Sequence, residues 1–196
     1  MEKYRFPIRE LMDDFALGSG MDNNSFCSYQ RHVEPLGIVA GRRLLVIGAG
    51  DRMQELAVVE PQISQGITKE AVLLSRDGFF DCYFYNEVRR LYPKLRMARL
   101  PISYQVLFEN DPQVFDTVMF IGREGVPKLC NEEISCLASR LSVGGRAFIT
   151  DNISREEDFR REFDVPNCKV KVIPAIPDHP IFNIFSWQGI VVERLK

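Results

Sequence analysis

Four residues, Gly48-Ala49-Gly50-Asp51, stand between an apolar run, "RRLLVI", and a helix-like stretch, "RMQELAVVE". Two glycines spaced this way let backbone approach a ligand closely, because no Cβ stands in between. A helix opening near Asp51 would aim its unpaired N–H groups at the same place. Such a turn is built to hold part of a nucleotide-like ligand. A dinucleotide site wants G-x-G-x-x-G, and here Met53 takes the place of the third glycine. A phosphate loop of the form G-x-x-x-x-G-K-[ST] is absent.

Other residue types with chemistry are sparse. His32 and His179 are the only histidines, and no strong general base stands out, so the catalytic residue is unassigned. Asp151-Asn152 close a strand-like run and could touch substrate, although Asn152 ahead of Ser154 also suits a helix start. The stretch "FFDCYFYNEVRRLY" has aromatic residues at helical spacing, which favours core packing over a ligand pocket. The five cysteines include no C-x-x-C pair, so neither a metal knuckle nor a disulfide framework is expected, and reduced thiols in the cytoplasm are the simplest reading.

Composition narrows the classes. The chain has 196 residues, 45% of them apolar, enough for one folded unit with an ample core. With 25 basic and 27 acidic side chains the formal charge is -2, which makes a nucleic-acid partner unlikely. Arg42-Arg43, Arg89-Arg90 and Arg160-Arg161 read as scattered, solvated charges. No export signal and no membrane span are expected.

The elements that must position the turn alternate along the chain. Residues 1–40 read as a helical preamble to the same domain, with Ile8, Leu11, Met12 and Phe15 at helical spacing and a second short helix ending near Leu36. Residues 41–196 then run strand and helix in turn: "RLLVIG" a buried strand, "DRMQELAVVE" a helix stopped near Pro61, "QISQGIT" a weak strand, "KEAVLLSRDG" a helix. "DCYFYNEVRRLYP" is a helix, "KLRMARLPI" and "VFDTVMFIG" are strands, and "NEEISCLASRLSVGG" is a helix capped by Asn131 and stopped at Gly144-Gly145. "RAFITDN" is a strand and "SREEDFRREF" a helix with a capping box, Ser154 and Glu157. "CKVKVIPAI" and "WQGIVVERL" are two late strands. The pattern predicts an α/β, three-layer α/β/α sandwich with a mainly parallel seven-stranded sheet and an antiparallel edge hairpin.

A third candidate ligand for the turn is S-adenosylmethionine (SAM). "RRLLVIGAGD" resembles the first motif of the class I, Rossmann-like SAM-dependent methyltransferases. "VFDTVMFIG" followed by "EEISCLASRLSVGGRAFITD" resembles that family's fourth strand, next helix and fifth strand, with Phe115-Asp116 and Leu141 to Ile149 carrying the match. The resemblance covers about residues 25 to 196. It implies that Gly48, Ala49 and Gly50 cradle the methionine part of SAM and that Asp51 meets its ammonium. It further implies that Thr68 lies by the ribose and that Leu100 and Ile121 lie by the adenine or the sulfur. It places the preamble, with His32, over the cofactor mouth.

Three positions depart from the family. Arg52 stands where a third glycine is common. Thr68 replaces the acid that usually ends the second strand, with Glu70 the nearest carboxylate. Arg96 and Arg99 occur where an acid usually meets the adenine. "ENDPQ", which resembles the family's N/D-P-P-Y/F motif, precedes the fourth strand instead of following it and reads as a turn.

The resemblance implies a SAM-dependent methyltransferase acting on a small molecule, with no metal and with a homodimer left open. Its alternative is a methyltransferase-like protein that has lost methylation and serves as a binding or scaffold partner, or uses SAM for another reaction. A nicotinamide-dependent oxidoreductase ranks third, because Met53 breaks the dinucleotide fingerprint.

Overall fold

The structure is a computed structural model and describes residues 7–8, 10–11, 34–48, 54–74, 82–100, 113–121, 131–153, 165–177 and 186–196. Its strands are β1 (Arg43–Ile47), β2 (Glu70–Leu74), β3 (Arg96–Leu100), β4 (Phe115–Ile121), β5 (Leu141–Ile153), β6 (Cys168–Pro177) and β7 (Ser186–Arg194). Its helices are α1 (Gln54–Val58), α2 (Glu60–Ser64), α3 (Cys82–Leu91) and α4 (Asn131–Ser139), with a 3₁₀ turn at Glu34–Leu36. The strands form one sheet in the order β3-β2-β1-β4-β5-β7-β6. β1 to β5 run parallel, and β7 runs antiparallel between β5 and β6.

Two cores sandwich the sheet. Strand side chains alternate between faces, so Leu44, Val46 and Met119 meet Leu56, Ile63, Phe84 and Val88 of α1, α2 and α3 on one side. Leu45, Val118, Phe120 and Ile149 meet Ile134, Leu137 and Ala138 of α4 on the other. β1 is buried on both faces from Leu44 to Ile47, which explains its unbroken apolar run. The result is a Rossmann-like three-layer sandwich with an antiparallel edge pair, as the alternation of elements implied.

Three local readings change. First, Pro61 does not end the helix begun at Gln54. The helical path breaks at Val59 and restarts as α2 with Pro61 in its first turn, where its missing N–H is harmless. Gly66, at φ 69°, then closes α2: Ile67 N–H reaches Gln62 O at 2.9 Å and Gly66 N–H reaches Ile63 O at 3.0 Å. "QISQGIT" is therefore a helix end and a turn. Second, "EAVLL" is β2 and not a helix. Third, α4 ends by Ser139, and Leu141 already pairs with Phe115 as the start of β5. The register then jumps from Phe115↔Leu141 to Thr117↔Arg146, so "SVGG" is a bulge inside β5 rather than a helix stop. The helix expected over "SREEDFRREF" lies outside the described residues.

The preamble is tied to the first core. Residues 7, 8, 10 and 11 are helical, and Ile8 is fully buried among α2 and α3 side chains. Its N–H donates to Glu60 Oε1 at 2.6 Å, and Tyr92 Oη–H donates to the same oxygen at 2.7 Å. Tyr92 follows α3 and precedes β3, so this anchor sits toward the amino ends of the parallel strands. His32 and residues 12–33 lie outside the described residues.

Candidate functional site at the carboxyl ends of the parallel strands

β1 is flanked by β2 on one side and by β4 on the other, so strand order reverses beside β1. In open α/β sheets the ligand crevice opens at the carboxyl ends of the strands at that point. Gly48 is the first residue past β1 there. Its φ of 74° lies in the left-handed region, where a residue with a Cβ is strained. Among the described residues, no atom lies within 4 Å of the place a Cβ would take. Gly37, Gly66 and Gly144 share that combination, and Gly48 is the one among these four that follows β1 at the carboxyl edge. Ala49, Gly50 and Asp51 lie outside the described residues. α1 opens shortly after, at Gln54, and buries Leu56 and Ala57.

Leu100 and Ile121 are the last residues of β3 and β4, so their backbones stand at the same carboxyl edge. Leu100 is half-buried and packs against the second core. β5 outruns β4: Ile121 pairs with Thr150, while Asp151, Asn152 and Ile153 continue against Gln188, Trp187 and Ser186 of β7. Asp151-Asn152 are thus strand residues at the carboxyl edge, not a helix start.

Thr150 was not singled out by sequence reasoning. It is 3% exposed, and among the described residues its Oγ1 has no hydrogen-bond partner. A buried hydroxyl left unpaired is costly, so its presence beside Ile121 marks a place where a ligand's polar group would fit. The only signal in the sequence is a threonine within the apolar run "AFITD".

Thr68 does not belong to this site. β2 starts at Glu70, so Thr68 precedes the strand and sits at its amino end. It is buried, and its hydroxyl donates to Gly41 O at 2.9 Å, while Gly41 N–H donates to Thr117 Oγ1 at 2.8 Å. The two threonines clamp the backbone that enters β1. Glu70 is displaced in the same way: it accepts from Arg43 Nε at 3.1 Å and lies 3.8 Å from Arg96 at the amino edge. The carboxyl end of β2 is Leu74, and the first carboxylate after it in sequence is Asp77.

Asp116, half of the Phe-Asp pair in the fourth-strand motif, is also structural. Its Oδ2 accepts from Arg43 N–H at 2.9 Å, and its Oδ1 accepts from Ser142 Oγ at 2.9 Å. A Cβ on Gly41 would stand 2.5 Å from that of Asp116, so glycine is needed for this approach. One carboxylate thus joins β1, β4 and the β5 bulge at the edge opposite the crevice.

His179 and Gly122 lie outside the described residues. Among the described residues no group of His, Cys, Asp and Glu is placed to hold a metal ion, and no helix is long and apolar enough to cross a membrane. Cys136 and Cys168 are free thiols. Burial pushes the Cys168 thiol above its ordinary pKa, with Arg194 opposing.

No family model matches the sequence, and no curated protein matches it. Solved structures do share its fold. The [4+2]-cyclase SpnF superposes with a TM-score of 0.57 at 11% identity, covering 85% of this chain and 80% of that one. An rRNA methylase from Streptococcus thermophilus gives 0.55 at 13%, covering 85% and 95%. TYW2 of M. jannaschii, solved in complex with AdoMet, gives 0.54 at 10%, covering 89% and 78%. The architecture is therefore one that solved methyltransferases use. At these identities the likeness is one of fold, and a fold hosts more than one chemistry.

Proposed function

We propose that the chain binds SAM at the crevice beside β1 and transfers its methyl group. The observation that carries this reading is Gly48: a left-handed residue after the switch-point strand, with open space where a side chain would be. The likeness to a structure solved with AdoMet supports it. When bound, SAM supplies a methyl group already activated on a sulfonium. The chain's task is then mainly to orient donor and acceptor. Gly48, with Ala49 and Gly50, would cradle the methionine end, and Asp51 would meet its ammonium. Leu100 and Ile121 would flank the adenine and sulfur. Thr150 would offer its unpaired hydroxyl at the same edge, and Asp77 takes over the ribose role first given to Thr68. Residues 1–40 belong to the same folding unit in this reading, since Ile8 and Ala40 share one core with α1.

A small molecule is the expected acceptor in this reading. A second reading, SAM binding without methyl transfer, draws support from the likeness to a [4+2]-cyclase. Melting curves with SAM, S-adenosylhomocysteine and NADH test the ligand. SAM and its demethylated product are expected to raise the midpoint and NADH to leave it unchanged. A shift with NADH alone would replace methyl transfer with hydride transfer.

A further inference from the structure

Paired strand residues share a face of the sheet, so the carboxyl edge forms a row across it. Ile47 pairs with Phe120, which sets Gly48 level with Ile121. Ile121 pairs with Thr150, Thr150 with Gly189, and Gly189 with Ile173. Gly48, Ile121, Thr150, Gly189 and Ile173 thus follow one another across β1, β4, β5, β7 and β6. The row lies on the face of the first core, because Val46 and Met119 of that core stand two residues before Gly48 and Ile121. None of its members is charged.

Two of them are costly where they stand. Glycine weakens the interior of a strand, yet Gly189 pairs on both sides within β7. Leu36 accounts for it: a Cβ on Gly189 would stand 2.5 Å from Leu36 Cδ2 and 3.2 Å from Ile173 Cβ. The 3₁₀ turn plants its buried leucine in the notch that Gly189 leaves. Thr150, beside that notch, buries a hydroxyl with no hydrogen-bond partner among the described residues. A β-branched side chain suits a strand. Valine would supply the same shape without leaving a polar group dry.

Position separates Thr150 from the cofactor. In the methyl-transfer reading the cofactor runs from Gly48 of β1 to Leu100 of β3, on one side of β4. Thr150 lies on the other side of β4, two strand spacings or about 10 Å from Gly48. Donor and acceptor must be oriented on opposite sides of the methyl carbon, so the acceptor belongs on the Thr150 side. The room there is short. Leu36 closes the row over Gly189, one strand further, about 14 Å from Gly48.

We propose that Thr150 positions the methyl acceptor through its hydroxyl, and that Leu36 bounds the place. The acceptor is then a compact, uncharged molecule with an apolar body and a hydroxyl or carbonyl group. Its polar group pairs with Thr150 Oγ1, and its body lies against Leu36 and Ile173. A charged acceptor would find no partner in the row. The acceptor reaches the hydroxyl as Leu36 leaves the notch, and Gly37, at φ 58°, adjoins Leu36 with the backbone freedom for that movement. As a statement about the acceptor this rests on the methyl-transfer reading; as a binding place it rests on Thr150 and Leu36.

The test uses 2-naphthol, a compact neutral molecule with one hydroxyl, titrated by its fluorescence into the full chain with and without S-adenosylhomocysteine. The unaltered chain is expected to bind it, and Thr150→Val to bind it about tenfold more weakly. Thr150→Ser keeps a hydroxyl and should retain most of the affinity. Leu36→Ala should bind 2-naphthol more tightly, since no side chain need leave the notch. Thr150→Val should hold SAM within about twofold of the unaltered chain, and its melting midpoint should not fall, because no bond within the fold is lost. A lower midpoint would place the hydroxyl in a bond within the fold and overturn the proposal. A tenfold loss of SAM affinity would give the hydroxyl to the cofactor and overturn it as well. So would no binding of 2-naphthol by the unaltered chain, equal affinity in Thr150→Val, or equally tight binding of 2-naphthoate. Because 2-naphthol is also titrated alone, failure to bind SAM would sink the methyl-transfer reading without touching this place, and failure to bind 2-naphthol would leave that reading standing.

Discussion

At the scale of single residues, the edges of the parallel sheet divide the labour. Thr68, Thr117 and Asp116 fix the backbone entering β1 at the amino edge, while Gly48 and Thr150 face the carboxyl edge. This separation has a measurable consequence. Asp116→Ala removes the acceptor of Arg43 N–H and of Ser142 Oγ and should cost about 2 kcal/mol of stability by urea denaturation. Thr68→Val leaves Gly41 O without its hydroxyl donor and should cost about 1 kcal/mol. Both variants should bind SAM within about twofold of the unaltered chain, since a twofold change is well under 1 kcal/mol. A large loss of affinity in folded Thr68→Val would return that residue to the ribose. A threonine reads the same in a sequence at either end of a strand. Its role depends on where β2 begins, and the strand-like look of "QISQGIT" puts that boundary one element too early.

At the scale of elements, legibility followed length and periodicity. β1, β4 and α3 were readable because each carries a long, unambiguous pattern bounded by glycine or proline. β2 was not: "EAVLL" is a short apolar run beside Lys69 and Glu70, composed of residues that favour helices as readily as strands, and only its place between β1 and β3 makes it extended. The end of α4 misleads because Leu141 continues the helical period of Ile134 and Leu137 while pairing with Phe115. The docking of the preamble through Glu60 was invisible, since it joins residues 52 positions apart. That contact predicts a pH effect. Burial, and then the Glu60 hydrogen bond and charge, raise the Tyr92 phenol pKa above its usual value near 10. A raised pKa contributes stability that is whole below about pH 10 and is lost as pH climbs toward the folded-state value. Tyr92→Phe should therefore destabilise by about 1 kcal/mol at pH 8, and its deficit should shrink at pH 11. A deficit unchanged between the two pH values would mean that the phenol does not donate to Glu60.

At the scale of the whole molecule, the balance of 25 basic and 27 acidic side chains hides an uneven distribution. Arg89 and Arg90 of α3 come near Arg96 of β3 in sequence and line one groove, while Arg96 lies 3.8 Å from Glu70. The central claim is the cofactor crevice at the carboxyl ends of β1 and β4. It is tested most directly by calorimetric titration of the unaltered chain and of Gly48→Val with SAM at neutral pH. The account predicts micromolar binding, about -8 kcal/mol, by the unaltered chain. It predicts no measurable binding by Gly48→Val, which should fold with a loss of about 1–3 kcal/mol for a branched side chain at positive φ. Silence from the unaltered chain at millimolar SAM, or equal affinity in the two proteins, would contradict it.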